Sequence, residues 1–162
     1  MTRYQELINQ LQVEDVEKAE ILQDEIDIII HKLKFLPRDN FPKTIVLDQA
    51  NAFEPLSDDL LAEKINIAGG RLITSLDEGA ELIIIKQADE ALYGELPTLL
   101  SSTIIKSSYA SKADRVYIIS STDFHTSDEH YLADVEILAE ILQPKYFVYG
   151  RDGQDWVKFS IA

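Results

Sequence analysis

Cysteine is absent from this 162-residue chain, which removes disulfide staples, thiolate nucleophiles and Cys-ligated zinc or iron–sulfur sites together. Cations are scarce as well: Lys and Arg number 15 against 29 Asp and Glu, a formal net charge of −14. A field of that sign opposes general attraction to nucleic-acid phosphates or to anionic lipid. No apolar run approaches the roughly 20 residues needed to cross a bilayer. The opening Met1-Thr2-Arg3-Tyr4-Gln5-Glu6 has no apolar centre of the secretory type. The expectation is a protein with no nucleic-acid partner and no membrane insertion, cytoplasmic, or periplasmic if a leader has been removed. Phosphate-cradling glycine loops are missing too. Gly69-Gly70 ends a helical pattern and is followed by Arg71-Leu72-Ile73, the reverse of what a dinucleotide fold requires. None of the serine pairs lies in a Gly-x-Ser-x-Gly elbow.

What remains is an ordinary globular composition, 46% hydrophobic and 27% charged, of a size that one core normally serves. Tyr4, Ile8 and Leu11 recur at helical spacing, and Ala19, Leu22, Ile26, Ile29 or Ile30, Leu33 and Leu36 continue the stripe. Asp15 interrupts it, so the spacing predicts a short helix to about Gln12 and a longer one from about Glu14. The acids Glu14, Asp15 and Glu17 suit the positive end of that second helix.

Thr44-Ile45-Val46-Leu47, Leu82-Ile83-Ile84-Ile85 and Val116-Tyr117-Ile118-Ile119 are short, continuous apolar runs, the signature of strands buried on both faces. Arg71-Leu72-Ile73 reads as a small strand. Between the runs lie helical patterns: Leu60, Leu61, Ile65 and Ala68 after a cap at Ser57 or Asp58, then Tyr131 to Leu142 after Thr126, Ser127 or Asp128. The stretch from Pro97 to about Ile105 reads as helical or irregular. In the tail, Phe147 and Tyr149, then Asp152-Gly153, then Trp156, Val157, Phe159 and Ile161 fit an antiparallel hairpin. The fold class expected is α/β: a three-layer α/β/α unit with a mainly parallel sheet, a long N-terminal backbone helix and a C-terminal hairpin. Its divisions are a helical arm over 1–36, a lobe over 43–147 and an extension over 148–162.

Ligands of such sheets sit beyond the carboxyl ends of the strands, so the loops of interest are Asp48–Leu56, Gln87–Glu95 and Ser120–Asp128. Asp48, Asn51, Phe53 and Glu54 stand in the first, Tyr93 and Glu95 in the second, and Asp123, Phe124 and His125 in the third. Asp48 either accepts hydrogen bonds from loop amides or meets a ligand. Asp123, His125, Asp128 and His130 combine imidazole with carboxylate, a set that either binds a divalent cation or caps a helix. Tyr146, Phe147, Tyr149, Trp156 and Phe159 read as packing of the tail.

The order of these elements carries a resemblance. Lys43-Thr44-Ile45-Val46-Leu47, then Leu60-Leu61-Ala62-Glu63-Lys64-Ile65-Asn66-Ile67-Ala68-Gly69-Gly70, resembles a strand, ligand loop and Ala-Gly-Gly-ending helix of the helical-backbone substrate-binding proteins of ABC importers. Gly79-Ala80-Glu81-Leu82-Ile83-Ile84-Ile85, Ala113-Asp114-Arg115-Val116-Tyr117-Ile118-Ile119 and Leu138-Ala139-Glu140-Ile141-Leu142-Gln143-Pro144-Lys145-Tyr146-Phe147 are similar to three later phrases of that family, in the same order. The resemblance implies the carboxy-terminal lobe with the inter-lobe helix attached. Members of the family bind iron-siderophores, haem, cobalamin or metal ions between two lobes and pass them to a permease. The leading reading is a non-enzymatic binding domain derived from such a lobe; the shared placement of the three loops after buried strands puts Phe53, Tyr93 and Phe124 in apolar or stacking contact and Asp48, Glu54, Asp123 and His125 in polar or metal contact. No cofactor is fixed; a metal ion or metal chelate is the candidate. The alternative is a protein-interaction or homodimerisation module that has lost small-molecule binding, suggested by an exposed helical stripe of Tyr4, Ile8 and Leu11. A small hydrolase using His125 with Asp123 ranks below both, for want of a nucleophile.

Overall fold

Chain order is set by two helices followed by a sheet that later helices cover on both faces. The computed structural model describes residues 1–160. Helix α1 (Arg3–Glu14) opens on a capping box in which Thr2 and Gln5 satisfy each other's amides. Asp15 ends it and begins α2 (Val16–Leu33), its carboxylate accepting from the Lys18 amide. Strand β1 (Lys43–Asp48) follows, then β2 (Glu54–Pro55), α3 (Asp59–Ala68), β3 (Arg71–Leu72) and β4 (Leu82–Lys86). Three helices come next, α4 (Leu92–Ser101), α5 (Thr103–Lys106) and α6 (Tyr109–Lys112). Strand β5 (Val116–Ile119), α7 (Tyr131–Leu142) and β6 (Trp156–Phe159) complete the chain. Pro97 lies inside α4, and the stretch read as helical or irregular is three helices broken at Ser102 and Ser108.

The three apolar runs are neighbouring parallel strands. Ile45 pairs with Ile83, and Ile85 with Ile118. The path across the sheet is β2-β1-β4-β5-β6, and β3 pairs with the start of β1 while β2 pairs with its end. Antiparallel pairing is confined to the two borders, through β2 and β6. Strand residues divide by the pleat: Val46, Ile84, Tyr117 and Ile119 join a core with α2, α3 and α7, whereas Ile45, Leu47, Ile83, Ile85, Val116 and Ile118 join a core with α4 to α6. The result is the expected three-layer α/β/α arrangement, with the carboxyl ends of β1, β4 and β5 on one rim.

Two expectations are corrected. Ile8 is buried, and Tyr4 and Leu11 pack against the first core, so the α1 stripe is consumed inside the molecule and presents no free face. The tail does not form a self-contained hairpin. Only Trp156–Phe159 is strand, and its partner is β5, with Val116 opposite Phe159 and Ile119 opposite Trp156. Phe147 and Tyr149 stack on each other outside any strand, because the amides from Tyr149 to Arg151 are turned toward the Glu140 carboxylate. Ile161, part of the same alternation, lies outside the described residues.

Gly69 closes α3 in the left-handed region at φ +99°. A β-carbon there would sit 2.6 Å from Gln143 Cγ and 3.1 Å from Leu33 Cδ1. That Gln143 amide donates to the Gly69 carbonyl at 2.9 Å and the Asn40 carbonyl at 3.1 Å, joining α3, α7 and the loop after α2. Gly69→Ala therefore combines backbone strain with overpacking and should cost about 1–3 kcal/mol, read as a lowered urea midpoint with an unchanged slope.

Candidate functional site at the strand tips

Where β1 ends, Asp48 turns its carboxylate back to the Ala50 amide at 3.2 Å. The next residue does more. Gln49 is buried, and its Oε1 accepts from the amides of Ala88 (2.7 Å) and Asp89 (3.1 Å). Its Nε2 donates to Asp89 Oδ1 at 2.9 Å and Glu95 Oε1 at 3.3 Å. One side chain from the loop after β1 thus ties into the loop after β4 and the start of α4, and fixes the spacing of the two loops. Ala52 and Phe53 both have positive φ, 54° and 61°, a strained pair of the sort that persists only where the surroundings over-determine it. Phe53 packs its ring against the second core while Asn51 and Glu54 face solvent. Tyr93 is 52% exposed on the first turn of α4, with Glu95 nearby on the same helix.

The third loop departs from expectation. Phe124 is fully buried in the first core and has no face to offer a ligand; the ring is an anchor for the loop. Asp123 is exposed and does not pair with His125. His125 instead takes a positive φ of 59°, with Nε2 3.0 Å from both oxygens of Asp58 and Nδ1 3.1 Å from Lys64 Nζ. An ammonium can only donate, so Nδ1 accepts and Nε2–H donates to Asp58: both ring nitrogens are engaged. Lys64 and Asp134 are each 1% exposed and pair at 2.8 Å. The same Asp134 oxygen accepts the His125 amide at 3.0 Å. Burial pushes the Asp134 carboxyl up, against the pull of Lys64 and that amide. At Asp58 burial acts in the same direction, but the Leu61 amide and the His125 ring outweigh it and hold the carboxyl below its ordinary range.

Lys64, Asp134 and Asp58 were not singled out from the sequence as one unit, though a signal exists. Lys64 falls between Leu61 and Ala68, and Asp134 between Tyr131 and Leu138, both at inward-facing helical spacing. Beside this chain of contacts, Glu63 accepts from the amides of Arg3 (3.0 Å) and Tyr4 (3.1 Å) and the Tyr131 hydroxyl (2.7 Å). Arg3 also grips Asp128, so Asp128 clamps α1 in place of capping α7, whose N-cap is His130.

Gln49 thus ties the loop that holds Asp48, Asn51, Phe53 and Glu54 to Asp89 and Glu95, Tyr93 stands two residues before Glu95 on α4, and His125 lies against α3 and α7. Among the described residues no three His, Asp or Glu side chains are grouped as metal ligands. Of Asp123, His125, Asp128 and His130, Asp128 is held by Arg3 and His125 by Asp58 and Lys64, so the four do not form a metal set. A groove of about 670 Å³ runs between the α1–α2 pair and the start of α7, and a hollow of about 390 Å³ lies beside Leu36 and Tyr146. Neither is lined by the first two loops. No described helix is long and apolar enough to cross a membrane.

No family model matches this chain, and no curated protein sequence is significantly similar to it. Solved structures are similar in fold. They include IsdE of S. aureus complexed with haem, at 18% identity and a TM-score of 0.70 over 86% of this chain and 63% of that one. An ABC transporter substrate-binding protein of Listeria monocytogenes matches at 14% identity and 0.68, over 88% of this chain and 64% of that one. CeuE of Helicobacter pylori with Ni(II) bound matches at 17% and 0.58, over 80% and 46%. The fold is that of one lobe of ABC-transporter substrate-binding proteins, as the four sequence phrases imply, and the chain spans about half to two thirds of the length of these structures.

Proposed function

We propose that this chain is a non-enzymatic binding lobe whose rim forms one wall of a site for a metal chelate or tetrapyrrole. The observation that carries the reading is the parallel set β1, β4 and β5, which delivers three loops to one rim in a fold shared with structures carrying haem and Ni(II). Tyr93 supplies the stacking face, with Phe53 at its floor. Asp48, Asn51, Glu54, Glu95 and Asp123 supply polar contact, and His125 shapes the third loop without facing the ligand as a free base. Because both nitrogens of His125 are held, the residue most suited to acid–base catalysis is not available for it, which favours binding over turnover.

Charge narrows the ligand class. The stretches 49–54, 87–95 and 120–127 contain no Lys or Arg, so chelates without net negative charge fit the rim better than carboxylate-rich ones. A thermal-shift panel of haem, cobalamin, ferric siderophores and divalent cations tests the reading. At ~100 times its dissociation constant a ligand adds about 2.7 kcal/mol, or roughly 5–10 °C for a domain of this size. The shift is expected with neutral or cationic chelates and should vanish in Tyr93→Ser, whose exposed side chain leaves the fold intact. A panel in which nothing moves the midpoint removes the proposal.

A further inference from the structure

The outer face of α2 is not used by the rim or by the cores. Its buried side is Ala19, Leu22, Ile26, Ile29 and Leu33. On the far side stands Ile28, 48% exposed; seven residues to either side are Ile21, 51% exposed at the edge of the groove beside α1, and Phe35, 85% exposed two residues past the end of the helix. Positions seven apart are one of the two sets that a seam of paired helices uses; the other set here is polar, Asp24 and His31, and nothing within the described chain covers Ile28. Around it the charge is divided by sign. From Val16 to Asp27 the helix carries Glu17, Glu20, Asp24, Glu25 and Asp27 against the single Lys18; beyond that come His31, Lys32, Lys34 and Arg38 before the next acid, Asp39.

We infer that this face is the interface of a two-fold homodimer in which α2 packs antiparallel on α2 of a second copy. The sequence is complementary to itself about one residue. With the axis at Ile28, that side chain meets its own copy, and Ile21 lies level with Phe35 of the second copy. Glu25 then falls on the same side as Lys32 of the second copy, and Asp24 on the same side as His31 of the second copy. The two-fold axis makes each of these contacts twice. A parallel pairing would instead stack acids on acids. Lys32 is preset for its role: its Nζ donates to the Tyr146 carbonyl at 3.2 Å and sits 5.4 Å from the Phe147 ring centroid, leaving further N–H groups outward. Tyr146 and Val148, 43% and 86% exposed, extend the apolar surface beside it. A helix pair of this length buries less than the ~800 Å² per partner of a standard interface, and each copy brings a charge of −14. The dimer is accordingly weak and concentration-dependent.

Sedimentation velocity on the full chain, over a concentration series reaching the millimolar range, should show the monomer giving way to a dimer. Ile28→Glu places like charges on the axis at a half-exposed position and should remain monomeric with an unchanged circular dichroism spectrum. Glu25→Lys and Lys32→Glu should each weaken the dimer, and the two combined should restore it, since the swapped pair is again complementary. Because the chain has no cysteine, Ile28→Cys gives a clean covalent readout: mild oxidation should link two chains much faster than it links Ile30→Cys, which is 46% exposed but off the stripe. A wild type that stays monomeric throughout, an Ile28→Glu variant that associates as before, or equal cross-linking at the two positions overturns the inference.

Discussion

Lys64→Met lowers stability by about 3–5 kcal/mol, the range for breaking a buried ion pair by removing one partner. The methionine fills the space of the aliphatic stem, so little of the loss comes from packing. It comes from Asp134, which is 1% exposed and keeps only the His125 amide on Oδ2. Two further results separate this account from a generic core defect. Asp134→Leu introduced into Lys64→Met should recover a large part of the loss, because the uncompensated carboxylate is gone. The pH dependence of Lys64→Met has a definite sign. Without the ammonium the native carboxyl is held far above its unfolded value of about 3.9, so the native state binds the proton more tightly and stability falls as pH rises through that interval. The deficit against wild type should be small near pH 4 and grow toward pH 8 in urea unfolding curves. A deficit under ~1 kcal/mol at pH 8 would show that the pair contributes little to holding the third loop.

Much of the architecture was legible because its physics is local. Leu82 to Ile85 is a short apolar run bounded by turn residues, which suits a strand buried on both faces, whereas Ile28-Ile29-Ile30 continues a helical stripe; Asp15 and Gly69 mark helix ends by capping chemistry that needs no distant partner. The tail was illegible for the opposite reason. Phe147 and Tyr149 alternate as a strand would, yet their course is decided by a carboxylate on α7. The site divides in the same way. Tyr93 and Glu54 stand exposed, as loop position alone implies, whereas the side chains of Phe124 and His125, which the same loop logic gives to a ligand, are committed to the core and to Lys64 and Asp58. Periodicity reports which face of an element is buried. It does not report which polar groups from separate elements meet beneath it.

Glu140→Ala should release the tail from the lobe. The Glu140 carboxylate, 4% exposed, accepts from the amides of Tyr149 (2.7 Å), Gly150 (3.2 Å) and Arg151 (3.2 Å) and from Trp156 Nε1 (3.2 Å). Hydrogen bonds to a charged group are worth about 1.5–3 kcal/mol each, and alanine leaves all four donors without it. The summed loss is capped, because the tail can detach and hydrate its amides at the cost of its own docking. The expected outcome is therefore local: roughly 3 kcal/mol or more in the opening of β6, with the sheet from β1 to β5 still folded. Trp156 is the only tryptophan and packs edge-on to Tyr117 at 5.8 Å, so its emission should shift to the red while the helical circular dichroism signal holds. Detachment also strips the partner from β5, a strand buried along its whole length, and an uncovered apolar edge is a template for pairing between chains. Glu140→Ala should thus aggregate on concentration where wild type does not. An emission maximum unchanged from wild type would mean that edge pairing with β5 holds the tail without the carboxylate.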